Sequence, residues 1–299
     1  RSTLSSSSAA SDVYKRQIVI TAIFAIFYTI LAGMFSVVYT DVVNGVLIIL
    51  GTCSALVFLI IEVGGLDEVI SVAESAGKLQ LFGNWSDERA GFISGPIIAM
   101  SFFVPTMLLL LGDANMYQRF FASKDAKGAK SATKTLILAV LIAELMIIVA
   151  AWIASSMIPD AEVGKYVLIY ASHQFLPPLI GAIMMTTIIG IIISTADSFL
   201  LVPATTLMRD VYMEYIDTNA SETRIVFLSR VLVVILGVVA YFVSLGFAKS
   251  SGFFERSLYA YTIYGAAITP SLVAALFWEK ATKEGAIASI ALGLSLIHI

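Results

Sequence analysis

The chain has 299 residues, 59% of them hydrophobic and only 13% charged, with a formal net charge of −3. Soluble domains carry about 25% charged residues, so this composition excludes an ordinary water-soluble globule and describes a protein that crosses a bilayer several times. The single cysteine, Cys53, lies in an apolar run, and His173 and His298 are the two histidines; this argues against a disulfide framework, a thiolate centre or a histidine-ligated transition metal. The net charge carries no sign of a nucleic-acid partner, because the few basic residues sit in short loops.

The first stretch, Arg1 to Gln17, is polar and Ser-rich and stops abruptly against Ile18. It lacks the apolar core of a signal peptide and resembles translated sequencing-adaptor sequence, as does the tail Leu294 to Ile299. Residues 1–17 and 294–299 are therefore expected to be non-native. Residues 18–293 are expected to be an internal fragment of a longer protein, with about seven complete spans and a truncated eighth.

A membrane helix needs about 20 mostly apolar residues. The first span is expected over Ile18–Val38 and the second over Val42–Ile61, joined by a tight turn at Tyr39-Thr40-Asp41. A polar segment, Glu62–Ser94, follows; Gly64-Gly65 and Gly83-Asn84 are turn signals, and Leu66–Ala76 has the pattern of a short amphipathic helix. The third span covers Gly95–Phe121 with Pro105 inside it, and the fourth Ala132–Met157. A loop with one short helix leads to Pro177-Pro178. The fifth span runs to Val202, where Pro203 is expected to kink or end it before Arg209. The sixth covers Val226–Leu245 and the seventh Leu258–Trp278, and an eighth begins near Gly285.

Loop charge gives the orientation. Alternate connections hold Arg119, Lys124, Lys127, Lys130, Lys134, Arg209, Arg224, Arg230, Lys280 and Lys283. The opposite set holds Lys78, Arg89, Lys165, Lys249 and Arg256. The first set, with Asp41, is assigned to the cytoplasm.

The stretch Ile191–Leu201 carries the strongest chemical signal. A carboxylate and hydroxyls inside hydrocarbon are costly unless they face a cavity, a partner or an ion. Ser194, Asp197 and Ser198 fall at i, i+3 and i+4, on one helix face, with Thr195 beside them. Neutral oxygens in that arrangement suit a hard cation such as sodium. The alternative is that each hydroxyl bonds the carbonyl four residues back and merely bends the helix.

Other polar residues carry two readings each. Asp41 is a solvated helix-end carboxylate or a way-station for a departing cation. Asp113, after Gly112, is an interface ending or a gate contact with Arg119. Pro105 frees a carbonyl in mid-membrane, and with Thr106 it has the character of a cavity lining. Glu144 is a pathway residue or a protonated group bonded between helices. Tyr259, Tyr261 and Tyr264, near Gly265 and Pro270, line a cavity or belong to an interface belt. Gly33 and other intramembrane small residues are read as packing positions. No phosphate-binding glycine loop, nucleophile–base pair or metal-ligand spacing is present, so an enzyme is not expected.

Four ordered motifs carry a resemblance. Gly33-Met34-Phe35-Ser36-Val37-Val38-Tyr39-Thr40-Asp41-Val42-Val43-Asn44 is similar to GG-x-x-AV-x-(W/Y)-TD-x-x-Q, with Asn44 in place of Gln. Gln118-Arg119-Phe120-Phe121-Ala122-Ser123-Lys124 resembles QR-x-x-AAK. Ser194-Thr195-Ala196-Asp197-Ser198-Phe199-Leu200-Leu201 is close to STADSQLL, and Tyr264-Gly265 to Pro270 followed by Phe277-Trp278 matches a late-helix pattern. Together they resemble the sodium/solute symporter family, which includes the sodium/proline and sodium/glucose cotransporters.

The resemblance implies an all-α, inverted-repeat fold of the leucine-transporter type, and sodium-coupled uptake of a small polar solute. It implies sodium ligands at the Ser194 and Thr195 hydroxyls and the Ile191 carbonyl, sodium release through Asp41, and a further cation position at Asp197 and Ser198. Thr106, Leu109 and Leu258 or Tyr259 fall where sugar cotransporters carry their polar contacts, which disfavours glucose-like sugars. An early helix that completes both sites is absent from this chain, so the chain alone is not expected to transport. The location implied is the inner membrane of a bacterium. The competing readings are a membrane sensory or scaffold module of a signalling protein, and a proton-coupled carrier using Glu144 or Asp197.

Overall fold

The structure, a computed structural model, describes residues 2–79, 95–158, 166–247 and 253–297. Arg89, Lys165, Lys249 and the Gly83-Asn84 turn signal lie outside the described residues. All regular structure among the described residues is helical, as the composition requires: in a bilayer, a helix satisfies every backbone group within its own segment.

The first helix, α1 (Ser2–Val63), runs for 62 residues without interruption. The turn expected at Tyr39-Thr40-Asp41 is not there, and the reason is local. No proline or glycine stands within that tripeptide, the Thr40 hydroxyl donates to the Val37 carbonyl at 2.9 Å, and the Asp41 carboxylate finds a partner inside the protein. At 1.5 Å per residue the helix is about 93 Å long, about three times the thickness of the hydrocarbon core. Among the described residues Val37–Val63 is long and apolar enough to cross a membrane, and Val19–Leu31 is a further apolar stretch.

Gly64 and Gly65 end α1 with φ of +108° and +114°, a backbone that side-chain-bearing residues rarely adopt. The turn delivers α2 (Leu66–Ser75), which opens on Asp67 and Glu68 and buries Val69 and Ala73, four apart on one face. This is the short amphipathic helix the sequence leads one to expect.

The expected third span is two helices, α3 (Gly95–Gly112) and α4 (Ala114–Phe121). Then come α5 (Ala126–Met157), α6 (Val167–Gln174) and α7 (Pro178–Thr206). Pro203 does not stop α7; the chain continues as a π-helical stretch, π1 (Leu207–Ile216). Proline lacks the N–H that would close the ladder, and a wider register takes up the mismatch. Next are α8 (Glu222–Phe247), α9 (Phe253–Ile263), a second stretch π2 (Tyr264–Ile268), α10 (Thr269–Phe277) and α11 (Lys283–Ile297). Again a proline, Pro270, sits just beyond the π register.

Six segments among the described residues are long and apolar enough to cross a membrane: Val37–Val63, Ala99–Phe121, Ala126–Met157, Pro178–Ile216, Glu222–Gly246 and Ser257–Phe277. Many large apolar side chains are exposed, including Phe24, Phe27, Leu141, Phe227 and Phe242. Hydrocarbon is the solvent that suits such a surface, and the protein is integral to the membrane.

The chain divides into two compact units, Arg1–Val69 with Thr135–Gly246, and Ile70–Lys134 with Phe247–Ile299. The core of the first joins Ala55 and Leu59 of α1 to Ala150, Ile153 and Ala154 of α5, Ala171 of α6, and Met184 of α7. Small residues let these backbones approach closely: a Cβ on Gly181 would run into the Ser172 carbonyl. In the second unit α3, α9, π2, α10 and α11 pack together. There the Thr269 hydroxyl donates to the Leu108 carbonyl at 2.6 Å.

Candidate cation site

The site grows out of the antiparallel seam between α1 and α7. Thr187, Gly190, Ser194 and Asp197 recur every three to four residues on α7, one face of a helix. Each meets α1. The Thr187 hydroxyl donates to the Leu47 carbonyl at 3.1 Å, and Gly51 is glycine because a Cβ there would strike the Thr187 hydroxyl. The Asn44 amide donates to the Gly190 carbonyl at 3.4 Å. Further along, the Ser194 hydroxyl donates to the Asp41 carboxylate. Last, the Thr29 hydroxyl donates to the Asp197 carboxylate.

Asp197 and Thr29 are 1% and 2% exposed. A carboxyl group so placed needs a partner, and Thr29 supplies one while also lying 2.8 Å from the Ala25 carbonyl. Sequence reading did not single out Thr29. The apolar run Ile18–Val38 also holds the hydroxyls of Thr21, Tyr28 and Ser36, and no local pattern sets Thr29 apart from them.

The remaining proposed ligands divide between two faces. Ser194 and Ile191 are half-buried and Thr195 is exposed. Thr195 donates to the Ile191 carbonyl at 2.8 Å, the four-back bond the bland reading describes. That bond spends the hydroxyl's proton and leaves its lone pairs free, whereas the Ile191 carbonyl, inside a continuous helix, also accepts the N–H four residues on. Ser198, half-buried, follows Asp197 on the helix. The oxygens assembled here are hydroxyl, carbonyl and carboxylate, hard donors of the type that suits sodium. Among the described residues no group of three or more His, Cys, Asp or Glu side chains is placed to hold a metal.

Other candidates fall elsewhere. Pro105 lies inside an unbroken α3, and the Thr106 hydroxyl donates to the Phe102 carbonyl at 3.0 Å. The break comes at Gly112-Asp113 instead, where a Cβ on Gly112 would strike Thr269. Asp113 is the N-cap of α4 and accepts from the Asn115 backbone N–H and side-chain amide, both at 2.9 Å. Its carboxylate is thus engaged in a cap, while Arg119 donates to the Asn115 carbonyl at 3.3 Å. Removing the cap, as Asp113→Ala, is expected to cost about 1 kcal/mol. Faster amide hydrogen exchange confined to the first turn of α4 is the measurement that reads it. Leu109 is half-buried and Tyr259 exposed. Glu144 is exposed on α5.

The model of the sodium:solute symporter family matches residues 7–293. The chain belongs to that family. Similar family members include the osmoregulated proline transporter OpuE of Bacillus subtilis, 24% identical over 98% of this chain and 58% of its own length. The sodium/pantothenate symporter of Escherichia coli is 24% identical over 95% of this chain and 58% of its own. The chain therefore spans somewhat over half the length of these relatives. A solved structure of a Na+-coupled sialic acid symporter in a substrate-bound, outward-open state superposes with a TM-score of 0.65. It is 17% identical and covers 94% of this chain and 66% of that one. This likeness establishes the fold, an all-helical part of the leucine-transporter-like inverted-repeat bundle. The sodium:solute symporter family comprises transporters, not enzymes.

Proposed function

We propose that the full-length protein takes up a small polar solute by sodium-coupled alternating access, across the inner membrane of a bacterium. Its relatives are named for solutes of this kind, proline and pantothenate. Sodium binds at the Ser194 and Thr195 hydroxyls and the Ile191 carbonyl, the wall being completed by a helix outside this chain.

The observation that carries the reading is the hydrogen bond from Ser194 to Asp41. A hydroxyl has one proton and two lone pairs. With the proton directed to Asp41, the lone pairs are left for a cation, and the carboxylate makes the oxygen a better ligand. The same contact gives a departing ion its next oxygen, so Asp41 acts as a relay toward the cytoplasm. Coupling is linkage: each ligand favours the state that binds the other well. The membrane potential contributes about 2.3 kcal/mol per charge per 100 mV in the direction of sodium entry.

The test uses the full-length protein carrying Ser194→Ala and Thr195→Ala. Losing two oxygen ligands is expected to raise the sodium concentration for half-maximal uptake about tenfold or more, with expression unchanged. An unaltered sodium dependence removes the assignment. Uptake measured against pH at fixed sodium separates a proton-coupled carrier using Glu144 or Asp197, whose rate follows pH and ignores sodium.

A further inference from the structure

Within the first unit, α1, the end of α7 with π1, and α8 enclose a cavity of about 250 Å³. Its walls are of two kinds. Arg209, Arg230 and Ser229 put polar donors in the lining, while residues such as Ile225 and Val226 are apolar; the Thr205 hydroxyl, also in the lining, donates to the Leu201 and Val202 carbonyls of its own helix. Among the described residues neither guanidinium has a carboxylate within ion-pairing distance. The neighbouring Arg224, by contrast, is paired with Asp217 at 3.0 Å and lies over the Tyr212 ring.

Two cations with no carboxylate partner among the described residues, beside an apolar trough, suit an anion with a hydrocarbon tail. Basic pockets between transmembrane helices on the cytoplasmic side are suited to anionic headgroups, and Arg binds phosphate bidentately. Loop charge puts both arginines on the cytoplasmic side. The trough also reaches Thr29, the partner of Asp197, yet it is poorly suited as a sodium exit, because two positive charges in its lining repel a cation.

We propose that this cavity binds an anionic phospholipid of the cytoplasmic leaflet, with its phosphate on Arg209 and Arg230 and its acyl chain along Ile225 and Val226. Occupancy ties α8 to π1 beside the Thr29–Asp197 contact. The proposal does not depend on sodium coupling.

The test titrates the purified chain, in a zwitterionic detergent, with phosphatidylglycerol or phosphatidylcholine and counts bound lipid by native mass spectrometry. The wild type is expected to prefer phosphatidylglycerol. Arg209→Gln with Arg230→Gln is expected to weaken that binding about thirtyfold, while Arg224→Gln leaves it unchanged. Val226→Trp, which fills the trough and keeps both arginines, is expected to lower it as well. Equal phosphatidylglycerol affinity in wild type and the double variant overturns the proposal. So does displacement of the lipid by millimolar inorganic phosphate, which marks a free-anion site. If the double variant loses its helical circular dichroism, Val226→Trp decides, and unchanged lipid affinity in that variant overturns the proposal.

Discussion

Asp197→Ala is expected to loosen the α1–α7 seam more than any other single side-chain deletion on it. Thr29 is 2% exposed, and without Asp197 its hydroxyl keeps only the Ala25 carbonyl four residues back. Thr29 thus keeps an acceptor within its own helix, and what is lost is the interhelical hydrogen bond, worth about 1–3 kcal/mol. Asp197→Asn keeps an oxygen that accepts from Thr29 and should recover most of the loss. The decisive measurement is a double-mutant cycle with Thr29→Val, followed by thermal unfolding in detergent. Groups in contact show an interaction energy of about 0.5–3 kcal/mol, so the double variant should be less destabilised than the two singles added together. Strict additivity would mean that Thr29 and Asp197 do not act as a pair.

Gly51→Ala tests the seam from the opposite side, by adding an atom. A Cβ at position 51 meets the Thr187 hydroxyl, which donates to Leu47 and Ile183 and is itself buried. Neither partner can yield, since Thr187 stands in the middle of α7 and its hydroxyl is tied to both helices. Overpacking of this kind costs about 1–3 kcal/mol. Thr187→Ala removes the obstructing oxygen, so Gly51→Ala with Thr187→Ala should be more stable than Gly51→Ala alone. A double variant no better than the single would show that the approach of the helices is not set at this contact. Gly45, by contrast, has open space around it, and Gly45→Ala is the matched control.

Much of the seam was legible before any coordinates. The carboxylate and hydroxyls of Ser194, Asp197 and Ser198 stand out because hydrocarbon offers nothing to satisfy them, and their spacing puts them on one helix face. Asp41 was legible as a charged residue at the end of an apolar run. What could not be read was their pairing. Ser194 bonds Asp41 and Asp197 bonds Thr29 only because α1 and α7 lie antiparallel at a distance set by Gly51 and Gly190, and no local pattern encodes which helix will lie beside which.

The misplaced boundaries have the same origin. Tyr39-Thr40-Asp41 reads as a turn because a charge usually marks the water interface, yet a partner on another helix lets α1 continue through it. Pro105 reads as a break and Pro203 as a kink or an end, yet α3 runs through its proline and α7 continues past Pro203 into a wider register. The real break, at Gly112-Asp113, is favoured by the Asp113 N-cap and by the close approach of Thr269 to Gly112, neither of which was read from the sequence. Apolar length, helical period and the membrane class follow from composition and spacing alone, since these depend on one segment and its solvent. Partners, breaks and the cavity that Arg209 and Arg230 share depend on contacts between separate segments of the chain, and these only packing decides.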